Sequence, residues 1–536
     1  MTSTLLLIAT PYNPTLELSL DGLPPAAGTS PAGEEITFEA RGGEETVYLA
    51  DTVGYRTSPN DFPPSQPFEA RLSSSFNVQA SAWSGREPDG RARVSFGDIQ
   101  GSNADGRFDP QLLDGWDGRI IELLQGDSQN AFSSFNRVFL ATSDGLAWDL
   151  DQFVIRLRDR QFLFENDIHQ QFYGGSGGLD GTEELEGQGI PLCYGECFNV
   201  PAVAEDPTQL IYRVHFTSIE AIDEIRVGGV ANPIEADTTD IVSANPTAGK
   251  AVTDLSTGRF KLGSNPSGSV RADVRGDNVG GYVNTTADIV RRIVTRQLGA
   301  INNLSDPGSL DTASFSQLNT DAGQVVGYFV DTSEETSSGV INALLSGVSA
   351  YRYFTRLGSF GVKQLKLPDS PIDTITEADI DASRELRRTG PPRPFYKRRA
   401  LYARNWGPQS RGELAGTVSE ADVADFTRRP EDGPFASSSD PNIQVKHRLA
   451  PSRDQDSYFR NQAEAKTFAD QQLALHGELR SEYTVPLRPD ALFKYWLGDE
   501  ITLKIPRFGL DAGQDFVIKG IEENARSRRV TITVWG

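Results

Sequence analysis

The segment 173–201, YGGSGGLDGTEELEGQGIPLCYGECFNVP, constrains the fold more than any other stretch of this chain. Its glycines permit positive φ and close backbone approach, while Ile190, Leu192, Tyr194, Phe198 and Val200 alternate as in a half-buried strand. It therefore reads as a connector at which the chain changes direction between two β units. The wider composition agrees: 51 Gly and 31 Pro in 536 residues, with 38% hydrophobic and 23% charged, suit turn-rich β structure better than a helical bundle or a disordered chain. That length predicts several domains, because one domain usually takes ~100–200 residues.

Periodicity divides the chain further. Residues 1–67 mix strand-like pieces at 16–20 and 45–49 with Pro- and Gly-rich loops, and read as an arm or an insertion of the first β domain. From 68 to 165, short runs such as FNVQASAW, RARVSFGDI, GRIIELLQG, FNRVFLATS and FVIRLRD are separated by turns, the signature of a small barrel or sandwich. The connector and a second β-rich region, with LIYRVHF, EIRVGGV and GRFKLG, fill 166–260. Over 261–358 the period changes to 3.6: Ile289, Val290, Ile293, Val294 and Leu298 share a helical face, with Thr285 or Thr286 to cap it. Shorter helices are expected at 314–321 and at 339–353. The remainder, 359–536, is expected to hold a helix at 457–475 and to end in three antiparallel strands. The fold class expected is thus a β-dominated α+β multidomain protein, with two tube-like barrel or sandwich domains and an inserted α-containing domain.

No residue set commits the chain to catalysis. His169, His215, His447 and His476 are dispersed without metal-ligand spacing. Cys193 and Cys197 lack the further ligands of a zinc or iron–sulfur site, and read as two reduced thiols or as a strained local disulfide. Asn103–Asp109 resembles a calcium loop, but its Gly is misplaced and no terminal Glu follows, so a strand-ending turn is the better reading. Asp180, Glu183, Glu184 and Glu186 supply the acids of a glycosidase only on paper, since adjacent acids in a Gly-rich loop are ordinarily a solvated turn. No catalytic, cofactor-binding or metal residue is named, and no cofactor is expected.

The balance of 74 acids to 51 Lys and Arg, a net charge of -23, argues against nucleic-acid binding over most of the surface. One exception is the block 384–411, where Arg384, Arg387, Arg388, Arg393, Lys397, Arg398, Arg399, Arg404 and Arg411 face a single acid, Glu385. Interleaved Phe395, Tyr396, Tyr402 and Trp406 would suit stacking on a single strand. In so acidic a chain, contact with its own or a sister subunit's acidic surface is the favoured reading. The N-terminus lacks a basic n-region and no apolar run reaches the length of a membrane span, so a chain made in the cytoplasm without a membrane anchor is expected.

Taken in order, GSNADGRFD with DGRIIELLQG, FNRVFLATS, the YGGSGGLDG to CYGECFNVP connector, LIYRVHF, ADIVRRIV, RPFYKRRALYARNW and the terminal LGD to VTITVWG resemble hub proteins at the tail tip of long-tailed bacteriophages. The resemblance spans residues 68–536, and the long N-terminal portion departs from the family pattern. It implies a non-enzymatic virion protein at the tail tip, a homotrimer whose two related β domains per subunit form a pseudo-sixfold ring. Implied partners are the distal tail or tail tube protein and a central fibre or tip protein, with genomic DNA passing through unbound. A cell-wall hydrolase and a receptor-binding tip protein are the rival functions.

Overall fold

The alternation read in the sequence becomes strands with one buried face. In Gln152–Arg158, Phe153, Ile155 and Leu157 point inward while Gln152 and Arg156 face water. The computed structural model describes residues 3–13, 28–29, 35–36, 43–44, 46–51, 53–74, 77–300, 310–390 and 392–536. The strand expected at 16–20 lies outside them.

The first sheet is ordered Ile99–Ser102, Gln152–Arg158, Asn136–Trp148, Ile120–Asp127, Ser3–Ala9, Val47–Asp51 and Pro67–Ser74, with Tyr55–Arg56 at its edge. Ser3–Ala9 runs antiparallel between Ile120–Asp127 and Val47–Asp51. The sheet therefore draws strands from both sides of residue 67. It closes on itself where Gly101 pairs with Leu72 and Gln100 with Ser74. Closure needs glycine at 101, because a Cβ there would stand 2.0 Å from the ring of Phe153. Phe153 in turn stacks on Phe108 with centroids 4.1 Å apart.

The C-terminal strands form as expected: Gln514–Asn524 pairs antiparallel with both Glu500–Lys504 and Arg529–Trp535. Glu482–Leu487 joins Arg529–Trp535, and Asp373–Thr376 joins Glu500–Lys504 in parallel. The bridge between Ile380 and Leu487 returns this sheet to its own far edge, so it too closes. Two strands read from the sequence with residues 68–165 hydrogen-bond here instead. Asn77–Ser81 pairs with residues 520–524, and Arg93–Phe96 pairs with Asn77–Ser81. One apolar core runs through both closed sheets, from Leu7, Ile121 and Phe153 to Trp83, Ile521 and Ile532.

Between them in sequence, Leu192–Pro201 emerges from the glycine-rich connector buried on both faces. Leu192 and Tyr194 enter one core, with Ile289, Ile293 and Leu344, while Cys193, Cys197 and Val200 enter another, with Ile225 and Phe260. The helices are α1 (Thr286–Ala300), α2 (Thr312–Asp321), α3 (Ser337–Gly347), α4 (Glu420–Thr427), α5 (Pro441–Lys446) and α6 (Gln462–His476). The expected face of α1 is buried at Ile289, Val290, Ile293 and Val294, and Thr285 Oγ1 accepts a hydrogen bond from Asp288 N–H at 3.3 Å.

Two helices are shorter than expected. The helix read over 339–353 stops at Gly347, and Ala350–Phe354 is a strand in a hairpin with Phe360–Gln364. Its sequence, AYRYF, is aromatic-rich and suits a pleated surface. The helix read from 457 begins at Gln462, because Ser452–Phe459 pairs in parallel with Lys397–Tyr402. Ser457 Oγ donates to Leu401 C=O at 2.8 Å across that pair. Among the described residues no helix is long and apolar enough to cross a membrane.

Candidate functional site

The basic block is spent largely within its own chain. The parallel register of Lys397–Tyr402 with Ser452–Phe459 sets Arg399 opposite Asp454, and their ion pair closes at 2.6 Å from Nε. Arg404 reaches Asp456 at 2.6 Å, and Arg411 reaches Glu420 at 3.3 Å. Arg387 meets Glu385 at 3.2 Å, and Arg388 donates to Ser481 Oγ at 3.0 Å. Arg384 binds Val530 C=O and donates to Thr531 Oγ1 at 3.0 Å. The aromatics between them are also engaged. Phe395 is buried, and Trp406 packs against Tyr328 and Tyr458 at 5.2 and 6.1 Å. Tyr396, Tyr402 and Trp406 are half-buried, which limits the ring face left for stacking on nucleic-acid bases.

Arg398, 1% exposed, leads to a cluster in which several guanidiniums gather around Glu87. It pairs with Glu87, 311 residues away in sequence, and lies over the Phe395 ring at 5.0 Å. The same Glu87 carboxylate stands 3.7 Å from Arg453 and 3.5 Å from His476 Nε2. Around it, Arg86, Arg393, Phe395, His476, Glu478 and Arg480 line a narrow cleft. Burial lowers the pKa of Arg86, which nearby Arg393 and Arg453 depress further against the pull of Glu87. Burial also holds His476 down to about 4, neutral at pH 7 despite Glu87. Arg393 is exposed and makes no ion pair among the described residues. No local sequence signal tied Glu87 or His476 to the block, since their contacts come from distant segments.

Two further charge clusters are closed to solvent. Asp277, at the end of Val270–Asp277, is fully buried and receives Arg292 and Arg296 from successive turns of α1, the second at 2.5 Å. Burial opposes its ionisation, but His215 and Arg296 outweigh that and hold its carboxyl at about 2. His215 Nδ1 accepts from Cys193 N–H at 2.9 Å, and burial keeps this imidazole's pKa low. In the second cluster Glu205 pairs with Arg213 at 2.8 Å and Arg259 at 2.5 Å. The first cluster pins α1 to Val270–Asp277, and the second pins Val203–Asp206, Ile211–Arg213 and Arg259–Leu262 to one another.

The remaining sequence candidates separate in space. Cys193 and Cys197 are free, buried thiols, and burial raises the pKa of Cys197 well above the ordinary value. Asp180 folds back to accept from Ser176 Oγ at 2.6 Å, and Glu183, Glu184 and Glu186 are exposed around a single 3-10 turn. A hydrogen bond from Thr182 lowers the Glu184 pKa, the opposite of what a general acid needs. In the loop 103–109, Asn103 Nδ2 donates to Asp109 at 2.7 Å and Arg71 grips Asp105 at 2.8 and 2.9 Å, which makes it a clamped turn. His169 is held between Asp167 at 2.8 Å and Asp331 C=O at 2.9 Å. Among the described residues no three His, Cys, Asp or Glu side chains gather as metal ligands.

No protein-family model matches this chain. No curated protein matches it. Solved structures do. The tail protein from Neisseria meningitidis MC58 is similar at 11% identity, covering 86% of this chain and 92% of that one, with a TM-score of 0.35. A chain of the virion of the native gene transfer agent particle is similar at 10% identity over 65% of this chain and 84% of its own, with a TM-score of 0.39. The 43 kDa tail protein of prophage MuSo2 from Shewanella oneidensis is similar at 10% identity over 88% and 94%, with a TM-score of 0.30.

Proposed function

We propose that the chain is a non-enzymatic structural protein of a phage tail tip, a baseplate hub of three copies. It joins the tail tube or distal tail protein to a central fibre and surrounds a channel for DNA. The observation that supports this reading is the presence of two closed β sheets in one chain, joined by Asn77–Ser81 and Arg93–Phe96 and by a common core. Three copies set six such units around an axis, the arrangement that the sequence resemblance implies where a sixfold tube meets a threefold tip. In this reading the first unit takes its strands from residues 3–158, the second mainly from 359–536, and 166–358 is inserted between them. The net charge of -23 per chain suits a wall past which DNA slides without adhering. The test is the mass of the purified protein by light scattering at several concentrations, with electron-microscope class averages of the same peak. The expected species has three times the 58.5 kDa chain mass and shows a threefold ring with a central hole. A monomer at every concentration would remove the self-assembling ring.

A further inference from the structure

A groove of about 510 Å³ lies between the C-terminal end of α2, the second half of α6 and the segment that follows Phe360–Gln364. That volume is in the range of sites that take up a ligand. Two of its lining residues are glutamines more than nine-tenths buried, Gln364 at 8% exposed and Gln472 at 2%. Each is held by one end of its amide. Gln364 Nε2 donates to Val348 C=O at 2.9 Å, and Gln472 Oε1 accepts from Ser349 Oγ at 3.0 Å. Among the described residues nothing bonds the other ends, Gln364 Oε1 and Gln472 Nε2, and both keep contact with solvent. Val348 and Ser349 are neighbours in the chain, with Cα atoms about 3.8 Å apart. The groove therefore offers a fixed acceptor and a fixed donor close together.

An acceptor beside a donor complements the N–H and C=O that one residue of an extended chain presents on the same edge. The walls suit a side chain of such a residue. Leu367, 43% exposed, Pro368, Ala474 and Leu475 are apolar lining, and none of the described lining residues is aromatic, so a sugar ring has nothing to stack on. The charges select further. Lys366 Nζ lies 3.0 Å from Asp369 and 3.9 Å from Asp321, two carboxylates to one ammonium, which disfavours an anion and favours a cation. The rim is set before anything binds, because the N–H groups of Asp369 and Ser370 donate to Glu500 Oε2 at 2.7 and 2.8 Å.

We propose that this groove holds an extended segment of a different polypeptide. One of its residues donates its N–H to Gln364 Oε1 and accepts from Gln472 Nε2 at its C=O. The side chain of that residue is apolar and covers Leu367, and a Lys or Arg beside it faces Asp321 and Asp369. Main-chain hydrogen bonds then give affinity and the walls give specificity. The contact depends on the groove alone and not on the ring reading above.

A library of capped, fluorescently labelled hexapeptides, varied at the two central positions, tests it by anisotropy against the full chain and two variants. Gln472→Met keeps the length of the side chain and removes its donor. Leu367→Ser removes the apolar wall at an exposed position, so it keeps the fold even where loss of the Ser349 hydrogen bond destabilises the first variant. The tightest peptides are expected to pair an apolar residue with Lys or Arg. Gln472→Met is expected to weaken them about tenfold, as is methylation of the apolar residue's nitrogen, each being the loss of one hydrogen bond. Leu367→Ser is expected to weaken them as well. Peptides that bind all three proteins alike or tolerate the N-methyl group overturn the proposal, as does a library with no dissociation constant below about 1 mM. An oligomer that comes apart in light scattering with Leu367→Ser means that the groove takes a second copy of this chain, which overturns the foreign partner. A wild-type monomer that binds the peptides as expected supports the groove and overturns only the ring.

Discussion

His476 is a base buried beside a carboxylate and three guanidiniums, and burial outweighs the pull of the carboxylate. With Arg398, Arg480 and Arg86 adding to the cost of burial, its imidazole stays neutral down to about pH 4. The unfolded chain takes up that proton near pH 6.5, so between about 6.5 and 4 the unfolded state binds a proton that the folded state refuses. Stability therefore falls as pH drops through that window, by at most on the order of 3 kcal/mol from this group. His476→Gln, which has nothing to protonate, should flatten the dependence of the urea midpoint on pH between 7 and 4.5. Slopes that match the wild type would show that His476 titrates freely. Asp277 works in the opposite sense: its carboxyl is held at about 2, so what it contributes is present above the ordinary carboxylate range and is lost only as the pH falls toward that value. Neither residue was distinguishable in the sequence from an ordinary histidine or aspartate, because each owes its state to neighbours on other elements.

At the scale of elements, α4 shows how a short helix is held by one side chain from elsewhere. Asn405 Nδ2 stands 3.0, 3.0 and 2.8 Å from the carbonyls of Asp425, Phe426 and Arg428 at the end of the helix, its two N–H groups shared among the three, and Gln409 N–H also donates to Phe426 C=O at 2.9 Å. Asn405 Oδ1 accepts from Asn199 Nδ2 at 2.9 Å, which ties the same helix to Leu192–Pro201. Asn405→Ala is expected to cost about 1–3 kcal/mol locally and to speed amide exchange across 420–428. Exchange unchanged there would mean that Val423 and Phe426 hold α4 by packing alone. The start of α4 was legible, since Ser419 followed by Asp422 is an N-cap pattern and Ser419 accepts from Asp422 N–H, yet sequence reasoning passed over it. The long helix α1 was plain from its period, and Ile289, Val290, Ile293 and Val294 of its apolar face are buried as read, while the Leu298 side chain lies outside those described. The helix ends near 347 and 462 were not, because AYRYF and SYF carry strand preferences that tertiary pairing decides. Most of the partners of the basic block were equally hidden. Arg398 and Glu87 stand 311 residues apart, and parallel pairing of two short strands is what brings Arg399 to Asp454.

For the whole molecule, the decisive fact is that the two closed sheets do not have separate interiors. Asn77–Ser81 leaves the first and adds itself to Gln514–Asn524 of the second, and Lys519 Nζ donates to Gly85 C=O at 3.1 Å beside that join. Trp83, in the loop after that strand, contacts Tyr351 at 5.9 Å and Trp535 at 6.1 Å, so segments from the N-terminal, middle and C-terminal thirds converge on one indole. No composition shift or linker marks such a junction, which is why the sequence reading assigned 77–96 by proximity along the chain. A shared core makes shared stability: if the sheets unfolded separately, each would expose the apolar surface that the other covers. Ile521→Ala removes a buried side chain of the second sheet, 2% exposed, and such truncations cost about 2–5 kcal/mol. Because Ile521 belongs to the same cluster as Ile155 and Phe153, the variant should raise amide exchange in Gln152–Arg158 as well as in Arg529–Trp535. A change confined to residues 482–535 would mean that the two sheets are independent folding units in contact. Their relative orientation would then be free to adjust on assembly. A single cooperative response would mean that the two units are fixed at one angle within the chain.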